Sequence, residues 1–340
     1  MTASEGPRDV RIGIVGAGIR GQLFARALAG QPGVKVTGLT DVSARALDAA
    51  AGEGFPVHGT LEELLAAGND GVVIATPDFA HLEPIVAVAA AGADLLIEKP
   101  LATSTADARQ IVAVASESGV QAYVAFENRW SNTFRTLHTD IRAGRLGQIS
   151  SQYLRLSDVI TVPTEMIGWA ARSSPAWFLM PHTLDLALWF SRGRVATVQA
   201  RATRGILMSA GVDCLDSVHA ILTLTDGSVV TLESGWVLPR SYPSIVDFKV
   251  EVIGSDGAAF IDHQDQMMHV ATDRFEMPRT LGSVTAGRVN GPAPWMVQSF
   301  ARRLQGYDEP MPSLADGLHV TEVIEAIHLS TQTAATITLE

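Results

Sequence analysis

One cysteine, Cys214, stands in a chain of 340 residues. An internal disulfide is therefore excluded, and the composition suits a reducing compartment. Cys214 itself reads as a small packed residue. Long apolar runs are missing too. None approaches the ~20 residues that span a bilayer, and the alanine-rich stretch from Ile85 ends at Gly92-Ala93, as a buried helix would. The opening residues lack a charged leader, an apolar core and a small-residue cleavage site, so no secretory signal is expected and the cytoplasm is the default location. Basic residues are outnumbered, 25 against 36 acidic, for a net charge of −11. That balance argues against nucleic acid or an anionic membrane as partner, since both demand clustered Lys and Arg. A small anionic substrate stays possible, because one local cation can outweigh the mean field. Internal repeats and low-complexity segments are absent.

What is present is 47% hydrophobic and 18% charged residues, a globular composition. The length suits two domains. The first third alternates short apolar runs with helical segments. Arg11–Val15, Val34–Leu39, Val72–Ala75, Leu95–Ile97 and Gln121–Ala125 read as strands. Helices are expected at Gln22–Ala29, after the capping box Thr60-Leu61-Glu62-Glu63, around Leu82–Ala91, and from Thr105 to Ser118 with Ser104 as N-cap. Such alternation requires crossover connections and so a doubly wound parallel sheet. After Glu127 the pattern changes. A helix near Thr133–Ala143 is followed by strand-like stretches at Ile149–Leu156, Val195–Arg204, Ser217–Leu224, Val229–Trp236 and Phe248–Ile253. Turn signals at Thr225–Ser228 and Gly254–Gly257 join pairs of them. A helix near Thr183–Phe190 interrupts this mostly antiparallel sheet, and another at Leu318–Thr331 closes the chain. The expected fold class is α/β, with a Rossmann domain over residues 1–127 and an α+β domain with an open-faced sheet over 128–340.

Gly16-Ala17-Gly18-Ile19-Arg20-Gly21 directly follows the first strand and opens a helix, and Asp41 ends the second strand. Glycines in this context let the backbone turn and approach a pyrophosphate, whose charge sits at the helix N-terminus. An acidic side chain some 20 residues on can bind the ribose hydroxyls. The expected cofactor is NAD, because Asp41 would repel a 2′-phosphate; nearby Ser43 and Arg45 leave NADP open. Ile97-Glu98-Lys99-Pro100 ends a sheet strand on its carboxyl side, where open α/β sheets place ligands. A lysine there can stabilise negative charge developing on a substrate oxygen.

These pieces, with Ala75-Thr76-Pro77 and His81, Asn128-Arg129-Trp130, Ile141–Gly147 and Val252–Gly257, resemble the glucose–fructose oxidoreductase / inositol dehydrogenase (Gfo/Idh/MocA) family over nearly the whole chain. The resemblance implies a Rossmann domain docked to an open-faced sheet, a substrate between the two, and substrates that are sugars, polyols or their derivatives. It also implies that Lys99 and a histidine of the second domain, matched by His182, act at the reacting carbon. Independently, Pro181 suits the first turn of a helix, which would set His182 near a positive dipole end that favours the neutral imidazole. Asp185 lies one turn on and could orient it. One departure stands out. Family members commonly carry an Asp four residues before this histidine, where this chain has Phe178. The pocket is then either reshaped for a less polar substrate or short of part of its catalysis, with Asp185 or Asp158 as replacements.

Trp169, Arg172 and Trp177 could line a sugar site through stacking and a hydrogen-bonding fork, or the tryptophans could pack. Arg129 and Trp130 open the second domain, at a hinge facing the cofactor or as simple interdomain packing, with Arg129 a candidate substrate contact. His81 borders the cofactor or caps its helix. Asp262-His263-Gln264-Asp265 with His269 lacks the spacing of a metal site, and no serine sits in a nucleophile elbow. The leading expectation is a reversible NAD(P)-dependent sugar or polyol oxidoreductase. An NAD-dependent enzyme without net redox change and a non-catalytic dinucleotide sensor stay as alternatives. A homo-oligomer, dimer or tetramer, is expected from an exposed sheet face, which the apolar alternation of Ser217–Leu224 and Val229–Trp236 fits.

Overall fold

The computed structural model describes residues 8–278, 284–285 and 288–339. The chain forms two compact units, Met1–Trp130 with Leu281–Leu318, and Ser131–Thr280 with His319–Glu340.

In the first unit, β1 (Val10–Val15), β2 (Val34–Thr40), β3 (Val57–His58), β4 (Gly71–Ile74), β5 (Asp94–Ile97) and β6 (Ala122–Val124) form one sheet in the order β3-β2-β1-β4-β5-β6. All its pairings are parallel. The helices α1 (Ile19–Ala29), α2 (Ala44–Gly52), α3 (Leu61–Ala66), α4 (Leu82–Ala90) and α5 (Thr105–Ser118) alternate with the strands. The central strands β1, β4 and β5 are buried almost throughout, which is why they read as apolar runs without alternation. Side-chain caps mark three helix starts. Ser43 accepts from the Ala46 N–H, Thr60 from Glu63 and Ser104 from Asp107. Glu63 completes its capping box one residue early, accepting from the Gly59 N–H at 2.8 Å. Sequence periodicity missed α2, because only Ala50 of that helix is buried.

A late helix, Pro292–Leu304, belongs to this unit. Its Phe300 and Leu304 lie where a Cβ on Gly71 would come within 2.8 and 2.6 Å. A glycine at the start of β4 therefore opens the seat for the Phe300 ring. Full burial of such a ring contributes roughly 2–3 kcal/mol.

The second unit is built on a seven-stranded sheet. Its strands are β7 (Ile149–Val159), β8 (Val195–Thr203), β9 (Ser217–Leu224), β10 (Val229–Leu238), β11 (Val246–Gly254), β12 (Ala258–Asp262) and β13 (Ile337–Thr338), in the order β12-β11-β7-β10-β9-β8-β13. Only β7 and β10 pair in parallel; the other neighbours are antiparallel. α6 (Asn132–Arg142) precedes the sheet, and α7 (Pro175–Phe178) and α8 (Met180–Phe190) pack on β7, β9 and β10.

The alternation in β9 and β10 has a simple cause. Val218, Ala220, Leu222 and Leu224, with Val230, Leu232, Ser234 and Trp236, are buried. Ser217, His219, Ile221 and Thr223 occupy the other face, paired with Gly235, Glu233, Thr231 and Val229. The apolar set is thus the inner face of the unit, so the period-2 pattern reports the core and not a surface for another subunit. Among the described residues no helix is long and apolar enough to cross a membrane.

Candidate active site

The carboxyl ends of β1, β2, β4, β5 and β6 gather most of the residues singled out in the first unit. The Gly16–Gly21 loop follows β1. Gly16 has φ +100°, and a Cβ there would lie 2.5 Å from the Ala75 carbonyl oxygen. At Gly21 a Cβ would fall 1.8 Å from the carbonyl oxygen of Gly16. Both glycines are required by close backbone packing. Gly18 differs: a Cβ there meets nothing within 4 Å. It is the N-cap of α1, which has no side-chain cap and no acidic residue in its first turn. An open space facing uncapped N–H groups is what a dinucleotide pyrophosphate requires, so these residues fit the cofactor. Ile19, the first helical residue, is 71% exposed.

Asp41 closes the far side of this loop. One carboxylate oxygen accepts the Ala17 N–H at 2.7 Å and the other the Ser43 N–H at 2.8 Å. After β4, the Thr76 hydroxyl donates to the Ala80 carbonyl at 3.0 Å, and Pro77 follows in the same turn. His81 occupies the N-cap position of α4 without a side-chain capping bond. Its buried ring lies between the carbonyls of Leu101 (Nδ1, 3.3 Å) and Thr76 (Nε2, 3.2 Å), tying the loop after β4 to the one after β5. Burial lowers its pKa, against the opposing pull of Asp78. The imidazole is therefore held neutral, with one N–H for two carbonyls.

After β5 come Glu98, Lys99 and Pro100, joined by a cis Lys99–Pro100 bond. Glu98 is buried. One of its oxygens accepts from Arg20 Nε at 2.7 Å and the other from the Lys99 backbone N–H at 3.1 Å. Arg20 reaches Glu127, just past β6, with its second nitrogen at 2.5 Å. Burial opposes the Arg20 charge, but Glu127 and Glu98 outweigh it and hold the guanidinium above its ordinary pKa. Burial also pushes the Lys99 amine below the usual lysine value. Glu98, Glu127 and Asp78 resist that shift, and Arg20 adds to it. Sequence reading missed Glu127; its place directly after a strand was the only available signal. Arg129 in the following turn forms an ion pair with Asp316 at 3.6 Å, and Trp130 donates its indole N–H to Ser299 at 2.9 Å.

The second unit holds His182, Asp185, Phe178, Trp169 and Arg172. α8 begins at Met180 with Pro181 in its first turn, so His182 is the third helical residue. His182 is half-buried while Pro181 and Thr183 through Ala187 are buried, Asp185 among them. α7, which the sequence did not announce, is opened by Ser174, whose hydroxyl accepts the Trp177 N–H at 3.0 Å. The same hydroxyl lies 2.9 Å from His328 Nε2, and the Trp177 ring stacks on His328 at 5.0 Å. Phe178 ends α7 between two tryptophans, Trp169 at 5.8 Å and Trp236 at 5.5 Å between ring centroids. Arg172 is exposed. The residues weighed as metal ligands go elsewhere. His263 packs on Phe134 and Phe248, Gln264 accepts the Phe248 N–H at 2.7 Å, and His269 pairs with Asp265 at 3.1 Å.

Comparison with known proteins converges on one family. The sequence model of the GFO/IDH/MocA oxidoreductase family, NAD-binding Rossmann fold, matches residues 10–126, and the GFO/IDH/MocA C-terminal domain matches 134–260. The chain is 27% identical over 322 residues to inositol 2-dehydrogenase of Rhizobium meliloti strain 1021, covering 93% of this chain and 95% of the relative. It is 30% identical over 274 residues to inositol 2-dehydrogenase of Cereibacter sphaeroides, covering 74% and 73%. Among solved structures, GenD2 from gentamicin A biosynthesis in complex with NAD superposes with a TM-score of 0.85 at 24% identity, covering 99% of this chain and 98% of that one. The first match falls on the doubly wound sheet with its glycine loop and the second on the mixed sheet that follows, and the chain belongs to the GFO/IDH/MocA family of oxidoreductases with an NAD-binding Rossmann domain.

Proposed function

We propose that this protein is an NAD-dependent dehydrogenase or reductase acting on a CH–OH group of a polyol, sugar or sugar derivative. Support comes from the inositol 2-dehydrogenase relative that spans 93% of the chain. The observation that carries the reading is a half-buried lysine, Lys99, just past the carboxyl end of β5, its amine held below the usual lysine pKa, in the same unit as a glycine loop left open at Gly18. Gly16, Gly18 and Gly21 with the first turn of α1 would hold the pyrophosphate, and Asp41 the ribose hydroxyls. Thr76, Pro77, His81 and Glu98 shape the adjoining loops. When bound, the nicotinamide supplies a hydride acceptor or donor.

Within this reading Lys99 polarises the substrate oxygen and His182 accepts or returns the hydroxyl proton. Phe178, with Trp169, offers an apolar ring in place of a carboxylate, so the substrate presents a less polar face there than an unmodified polyol. Arg129, Arg172 and Asp185 are further substrate-side candidates. Asp41 favours NAD over NADP. The protein acts in the cytoplasm as a homo-oligomer, and the exposed side chains Phe260, Ile221 and Ile253 on the outer sheet face fit a partner surface.

The test is absorbance at the reduced-nicotinamide band. NAD and NADP are offered with inositols, aldoses, deoxy and amino sugars and sugar acids, and the reduced cofactors with the matching ketones. Turnover that falls at least ~10²-fold in His182→Ala supports the reading. Tight NAD binding with no turnover across the panel would sink it and favour the sensor reading, for which Phe178 speaks. Light scattering of the purified protein tests the oligomer.

A further inference from the structure

Arg20 stands on the first turn of α1, where an arginine could reach a phosphate, yet its guanidinium is committed elsewhere. Nε binds Glu98 at 2.7 Å, a terminal nitrogen binds Glu127 at 2.5 Å, and the guanidinium carbon lies 4.9 Å from the centroid of the buried Phe24 ring. Two carboxylates and a ring face hold it on three sides, the fork geometry that lysine cannot reproduce. Its partners are not arbitrary. Glu98 and Glu127 stand at the ends of neighbouring strands β5 and β6, so Arg20 joins the loops after β1, β5 and β6. The second oxygen of Glu98 accepts the backbone N–H of Lys99 itself.

Resting on the function proposed above, we infer that Arg20 is a positioning residue for Lys99. Through Glu98 and Glu127 it fixes the backbone that carries the lysine and sets the charge around its amine. The charged groups that act on the amine come from each neighbouring segment of the unit: Arg20 from α1, Asp78 from the loop after β4, Glu98 beside it, and Glu127 after β6. Without Arg20, the pull of Glu98, Glu127 and Asp78 on the amine would lose the guanidinium charge that opposes it. The amine would then hold its proton more tightly, and the Glu98 clamp on the Lys99 N–H would lose its anchor.

The chain has three lysines, Lys35, Lys99 and Lys249. Reductive methylation of the full-length protein with 13C-formaldehyde thus gives few resonances, and Lys99→Arg assigns the one of interest. Arg20→Gln is expected to move the Lys99 titration upward by about half a pH unit or more. Glu127→Gln is expected to move it downward, and the other two lysines to stay in place. An unmoved Lys99 titration in the folded variants overturns the inference, and if Arg20→Gln does not fold, Glu127→Gln alone decides. Once a substrate is known, Arg20→Gln should lower kcat about tenfold or more, while the NADH Kd, read by fluorescence, changes less than about threefold. A Kd raised tenfold with kcat intact at saturating cofactor would instead make Arg20 a cofactor ligand and overturn the inference. The titration needs no turnover, so a wild type silent on every substrate would fail the proposed function while leaving this inference to be judged by the resonance.

Discussion

Gly18 and Gly21 are two residues of one motif with different reasons to be glycine, and alanine substitution separates them. Gly18 sits at φ −71° and ψ −165°, an extended conformation that alanine adopts freely, and a Cβ there meets no atom within 4 Å. Alanine in place of glycine at an N-cap costs about 0.5–1 kcal/mol. The reduced freedom of the unfolded chain returns about 0.4–1 kcal/mol, so stability without cofactor should hardly change. The added methyl instead occupies the space through which a pyrophosphate would approach the α1 N–H groups. Losing one such charge-assisted bond costs about 1.5–3 kcal/mol, which is roughly a ten- to hundredfold loss of NADH affinity.

Gly21→Ala should do the reverse. Its Cβ falls 1.8 Å from the carbonyl oxygen and 2.9 Å from the carbonyl carbon of Gly16, with no flexible side chain to move aside. The β1–α1 junction must then shift, at a cost of about 3 kcal/mol or more, a large share of the ~5–15 kcal/mol typical of a folded protein. Urea denaturation of the apo variants and fluorescence titration with NADH measure both quantities. If Gly18→Ala bound NADH like the wild type, the pyrophosphate would not lie on this loop. If Gly21→Ala were as stable as the wild type, the contact with Gly16 would not be the reason for the glycine.

Three further outcomes follow from other parts of the molecule. Burial lowers the His81 pKa in the fold, so as pH falls below about 6.5 the unfolded chain takes up a proton first. The unfolded state then binds more protons, so stability falls as pH drops below that value, by up to about 1.4 kcal/mol per pH unit from this group. Denaturation at stepped pH should show a shallower slope in His81→Asn, and an equal slope would refute the assignment. Ser174→Ala removes both the cap of α7 and the bond to His328, an expected loss of about 1–2 kcal/mol in urea denaturation; no loss would mean the cap is idle. Cys214 is buried, and that burial pushes its thiol up to about 11. A thiol reagent at pH 8 should therefore react far more slowly with the folded than with the urea-unfolded protein, and equal rates would show that the site opens readily.

What was legible in the sequence was the local part of the chemistry. Each central strand of the first sheet is short, apolar on both faces and closed by a turn, and the glycine loop carries its whole requirement within six residues. Ser104 and Thr60 announced their helices because a cap acts over three positions. The Arg20 cluster was not legible, because its bonds join residues 78 and 107 positions apart, and only the strand order β1-β4-β5-β6 makes them neighbours. In sequence Arg20 reads only as one residue of the Gly16–Gly21 cofactor loop. The helix Pro292–Leu304 gave no hint of its seat for the same reason: Gly71, which makes room for Phe300, precedes it by more than two hundred residues. Phe178 lies between these cases. Its identity was plain, but its meaning depends on Trp169 and Trp236, one before it in the chain and one on a strand of the sheet. An aromatic side chain held between two others is a built feature of the second unit. Under the proposed function, a ring fixed in this way favours a substrate that offers it an apolar face.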